Sequence, residues 1–96
     1  MFITLYSYRI RLGKTEAVRC LYREWQQLLL NWSPVSTELL ANPQDPAEMV
    51  MLVRFADDDT AWQAAESARH CAWYAQLVSL AESGPMVDHY QVVEPN

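Results

Sequence analysis

Apolar and polar positions alternate with a period of two over residues 2–10. Phe2, Thr4, Tyr6, Tyr8 and Ile10 fall on one face, Ile3, Leu5 and Ser7 on the other. Both faces carry apolar groups, which predicts a strand covered on both sides. Gly13 ends it, and the period then lengthens. From Lys14 to Trp32, the residues Val18, Leu21, Tyr22, Trp25, Leu28, Leu29 and Trp32 recur at spacings of three and four. That spacing predicts a long amphipathic helix, opened at Lys14 or Thr15 and closed just before Pro34. Residues 35–41 and 48–55 read as two further strands joined by the turn-forming run Asn42-Pro43-Gln44-Asp45-Pro46. In the second of these, Met49, Met51, Val53 and Phe55 share one face and Val50, Leu52 and Arg54 the other.

Asp57-Asp58-Asp59-Thr60 clusters N-capping residues with negative charge where a helix dipole favours it. A short helix is expected to about Glu66, with Ser67 capping a new one from Ala68 to about Ser83. Tyr74, Leu77, Val78 and Ala81 give its expected core stripe, with Trp73 and Leu80 beside it. Gly84-Pro85 reads as a stop signal. Residues 86–93 alternate again, Met86, Tyr90 and Val92 against Val87 and Val93.

The order strand–helix–strand–strand–helix–strand predicts an α+β, ferredoxin-like βαββαβ fold with an antiparallel sheet. In that fold the helices cover one face of the sheet. Apolar groups on both faces therefore call for a second cover, most simply another copy of the same sheet about a twofold axis. A homodimer packed sheet to sheet is the expectation.

Composition narrows the function. Ninety-six residues make a single domain, 1–96, of modest core. The net charge of -5, with one Lys and six scattered Arg, argues against nucleic acid and against an anionic membrane surface. No apolar run is long enough to cross a bilayer, and the first residues lack the basic region of a signal peptide, so a cytoplasmic protein is expected. Cys20 and Cys71 stand too far apart for a CxxC motif and read as reduced, partly buried thiols. No third residue completes a metal site with His70 and His89, and neither GxGxxG nor a P-loop is present.

Several local features recur in a particular order. Leu12-Gly13-Lys14 leads into a long helix containing Trp25, and Ser33-Pro34 precedes the second strand. The hairpin carries Asn42-Pro43 and Asp45-Pro46, and the third strand ends in Phe55-Ala56-Asp57. The last helix opens Ser67-Ala68-Arg69-His70-Cys71-Ala72-Trp73, and the chain closes on Val92-Val93-Glu94-Pro95. Taken in order, these make the chain resemble the antibiotic biosynthesis monooxygenase family, a dimeric α+β barrel group. The resemblance implies a small dimer with a pocket between each sheet and its helices. Some members oxidise polycyclic phenols or quinols with dioxygen and without metal or prosthetic group; others degrade haem. Haem-degrading relatives carry an Asn on the first strand, a Trp ending the third and a His on the last helix. Here those positions offer Ser7 or Tyr8, Phe55 and His70, so only the histidine matches.

His70 is the candidate catalytic residue, since a neutral imidazole can take a proton from a bound phenol. Trp25, Trp62 and Trp73, with Tyr6, Tyr8, Phe55 and Tyr74, are candidates to wall an aromatic pocket; the alternative is that they fill core and interface. His89 reads as a cross-strand or interface residue, and Arg54 either pairs with an acid at the sheet interface or holds a substrate oxyanion. The resemblance implies a cofactor-independent monooxygenase acting on a small aromatic or quinol-type substrate. The reading from another class is a non-enzymatic dimeric protein that binds a small ligand.

Overall fold

The computed structural model describes residues 1–95. Strand β1 (Phe2–Ile10) turns Phe2, Thr4, Tyr6, Tyr8 and Ile10 into the core, and its other face is half-buried. Helix α1 (Thr15–Leu29) follows and buries Val18, Leu21, Trp25, Leu28 and Leu29, the stripe the spacing predicts. A 3-10 turn over Leu30–Trp32 finishes it, and Ser33 adopts a left-handed φ of 45° before Pro34. Pro34 disfavours α geometry in the residue before it, which helps end the helix there.

Strands β2 (Ser36–Asn42) and β3 (Asp45–Phe55) form a tighter hairpin than the sequence suggests. Asn42 pairs with Asp45, and the register then jumps so that Ala41 faces Met49. Pro46 lies in that irregular stretch, where a missing N–H breaks no ladder bond. Helices α2 (Asp58–Glu66) and α3 (Ala68–Leu80) are separated by Ser67, as expected. Asp57 accepts from the Thr60 N–H at 2.8 Å, and the Ser67 hydroxyl accepts from the His70 N–H at 3.2 Å.

Two expectations change at the end of the chain. Helix α3 stops at Leu80, and β4 (Ala81–Gln91) begins at once. Glu82, Ser83, Gly84 and Pro85 belong to the strand, because β1 reaches far enough to pair Ile10 with Ala81 and Arg9 with Ser83. Gly84-Pro85 is therefore an irregularity within β4 rather than a stop. Gly84 has φ +82°, and a Cβ there would lie 2.8 Å from the Ser7 carbonyl oxygen. The core stripe of α3 also differs. His70, Trp73 and Leu77 are buried, while Val78 is exposed and Tyr74 half-buried.

The sheet order is β2-β3-β1-β4 and every pairing is antiparallel, the expected ferredoxin-like arrangement. All helices lie on one face. The opposite face presents Ile3 and Leu5 from β1, Val50 and Leu52 from β3, Leu40 from β2 and Met86 and Tyr90 from β4. Of these, Met86 and Tyr90 are 66% and 56% exposed. Arg54 also lies on this face, bonded to Glu38 and Ser36, so it is far from any helix-side site. Among the described residues, no helix is long and apolar enough to cross a membrane. Both cysteines are free and exposed rather than partly buried.

Candidate functional site

The site is built from the capped start of α3. The Ser67 cap fixes the first turn and sets His70 on its inner side, one turn before Trp73 and Tyr74. Strand β1 aims Tyr6 at it, and α1 brings Trp25 underneath. His70 is 4% exposed. Its Nε2 lies 3.3 Å from the Trp25 indole nitrogen and 3.2 Å from the Tyr6 hydroxyl. Trp25 and Trp73 stack behind it, ring centres 5.2 Å apart at 13°, and the Trp73 N–H donates to the Leu21 carbonyl at 2.9 Å.

Burial pulls the His70 imidazole down to about 4, so the ring is neutral at ordinary pH. Burial also pushes the Tyr6 phenol well above its usual range, and neighbouring Tyr74 adds to the effect. Tyr6 therefore remains an O–H donor. The Tyr8 phenol is raised by burial as well, and its Oη is the one buried polar side-chain atom without a partner among the described residues.

A cleft of about 240 Å³ opens onto this group, walled by Tyr6, Ala65, His70, Cys71, Tyr74, Val87 and His89. None of the lining side chains carries a fixed charge. His89 enters because β4 pairs with β1 in a register that sets it opposite Thr4. Its Nδ1 lies 3.1 Å from the Thr4 hydroxyl, and its ring packs on Trp62 at 4.5 Å and Phe2 at 5.6 Å. A larger groove of about 430 Å³ runs between α1 and α3, but Glu24, Gln27, Arg69 and Gln76 line it and its walls hold no buried titratable group. The chemistry is concentrated in the smaller cleft. Among the described residues, no His, Cys, Asp and Glu side chains gather in a set that could hold a metal ion.

The structure brings together Tyr6, His70 and Tyr74 of the sequence candidates. Trp25 and Trp73 stand behind them, supporting rather than lining the cleft. Trp62 sits beside His89 and is 42% exposed. Tyr8 and Phe55 are buried core residues that do not line it, as are Met49 and Met51. Ala65, Cys71, Val87 and His89 were not among the candidates. The period-two pattern contained a signal for the last two, since Val87 and His89 share a face, but only the β1–β4 register ties that face to Tyr6.

No family profile and no curated protein matches the sequence. Solved structures do match. SnoaB, a cofactor-independent oxygenase from Streptomyces nogalater, superposes with a TM-score of 0.85 at 10% identity, covering 98% of this chain and 94% of that one. Rv0793 from Mycobacterium tuberculosis gives 0.84 at 15% identity, covering 98% and 96%. A structure described as an antibiotic biosynthesis monooxygenase gives 0.81 at 15% identity, covering 98% and 100%. The chain has the fold of the antibiotic biosynthesis monooxygenases. The α+β architecture and the resemblance read from the sequence agree at that level. At these identities the shared property is the backbone arrangement, which carries no function of its own.

Proposed function

We propose that the cleft binds a small aromatic phenol or quinol and that the protein oxidises it with dioxygen, as a cofactor-independent monooxygenase-like homodimer. The observation that carries this reading is the uncharged aromatic cleft ending on a buried, neutral His70 held by Trp25 and Tyr6. Its size supports a ligand of one or two rings, because about 240 Å³ falls below the roughly 300–1,000 Å³ of sites that hold drug-sized molecules. The likeness to SnoaB, described as a cofactor-independent oxygenase, supports the reaction type. The electrons come from the substrate. A ring C–H and a phenolic O–H each lose their hydrogen, the ring carbon gains one oxygen atom as a quinone carbonyl, and the second oxygen atom leaves with those two hydrogens as water. The protein contributes positioning and exclusion of water. Tyr6, Tyr74 and His89 hold the ring, and His70 meets its oxygen.

The binding-protein reading has an observation of its own, since the Nε2 lone pair of His70 is already engaged by Trp25. One experiment separates the two. Oxygen uptake is followed with a panel of one- and two-ring quinols, alongside quenching of tryptophan fluorescence. Uptake above the uncatalysed rate, falling on the order of 10²-fold in His70→Ala, supports the oxygenase. Quenching without uptake supports the binder, and neither response would overturn both.

A further inference from the structure

An indole N–H can donate a hydrogen bond but not accept one. The Trp25 N–H points at His70 Nε2, so that nitrogen must be the bare one. The Tyr6 hydroxyl, 3.2 Å from the same atom, is also placed to donate to it. A neutral imidazole with a bare Nε2 carries its proton on Nδ1. Turning the ring over would set a carbon against the indole N–H. Trp25 is fully buried, and an orphaned N–H there would cost about 1–3 kcal/mol. The ring orientation and its tautomer are thus fixed together. Nδ1 has no hydrogen-bond partner among the described residues and is not wholly sealed from solvent, and the cleft is an opening that His70 lines.

We propose that Trp25 is a positioning residue that locks His70 as a hydrogen-bond donor to the cleft, so that the site selects aromatic ligands presenting an acceptor oxygen, a ketone or phenolate, at Nδ1. The selectivity rests on the reading of the cleft as an aromatic site; the tautomer does not. In this arrangement His70 gives a hydrogen bond to a substrate oxygen and is not the group that removes its proton.

The test has two parts. Long-range proton–nitrogen spectra of the free protein read the tautomer directly. A protonated Nδ1 and bare Nε2 for His70 are expected, and a protonated Nε2 would overturn the proposal. Tyr6→Phe should keep this pattern, because the indole remains. Trp25→Phe should release it into an exchanging mixture. The unsubstituted protein already decides the point if that variant fails to fold. Binding is then compared between α-tetralone, which has a ketone oxygen, and tetralin, which has none. The ketone should bind about tenfold more tightly and shift the His70 Nδ1 proton signal. Equal binding would overturn the donor role. Binding of neither compound would overturn the aromatic-site reading and the selectivity, while the spectra still decide the tautomer.

Discussion

At the scale of the residue, His70 ties stability to pH. It is neutral in the folded protein, with its pKa lowered to about 4 against 6.5 unperturbed. Between those values the unfolded chain binds more protons than the folded one, so stability rises with pH across that window. The contribution is complete above about pH 6.5 and is lost as pH falls towards 4, amounting to at most about 3 kcal/mol. Urea midpoints at pH 7 and 4.5 should show this loss, and His70→Gln, which keeps an acceptor for Trp25, should remove most of it. Asp45, held down first by its bond to Arg9, and Asp57, by the Thr60 N–H, act below this window, since both titrate under 3.8. The caps at Asp57 and Ser67 were legible in the sequence, because a cap is decided within a few residues. The bond from Trp25 to His70 spans 45 positions and was not. Nor was the part played by His89, which only becomes a cleft residue once β4 lies against β1.

At the scale of the element, the sequence pattern set the strands and helices well wherever periodicity was strong, and less well where β1 imposed its own length on a neighbour. Residues 68–83 hold no helix breaker and carry Gly84-Pro85 on their right, so the helix reads as running to about Ser83. Pairing with Arg9 and Ile10 draws the end of this stretch into β4 instead. Arg9 reinforces the same region, reaching Asp45 at 2.7 Å, Glu48 at 2.8 Å and Glu82 at 3.3 Å, and so links β3 and β4 across β1. The two glycines make a matched pair for testing this. Gly13 has φ +78° with no neighbour within 4 Å of an added Cβ, so Gly13→Ala should cost about 1 kcal/mol for the left-handed backbone alone. Gly84→Ala adds a collision with the Ser7 backbone oxygen and should cost about 3 kcal/mol or more. In a domain of this size each kcal/mol moves Tm by about 4–8 °C. Thermal melts should therefore separate the variants clearly, and equal melting points would contradict the account of β4.

At the scale of the whole molecule, the feature most visible in the sequence was apolar character on both faces of the strands. The structure satisfies one face with helices and leaves Leu40, Met86 and Tyr90 exposed on the other. A second sheet is the proposed cover. Sedimentation at micromolar concentration should give twice the chain mass. Met86→Glu, exposed on that outer face, should give the single-chain mass with helix content retained. A single-chain mass for the unsubstituted protein would contradict the pairing. The Arg54–Glu38 ion pair lies in the same face, with side chains 33% and 44% exposed. In a lone protomer such a pair contributes under about 1 kcal/mol, whereas a pair sealed from water leaves its partner stranded when one member is cut, at about 3–5 kcal/mol. Glu38→Gln thus serves as a depth gauge: almost silent at concentrations where protomers drift apart, and costly once two sheets close over it.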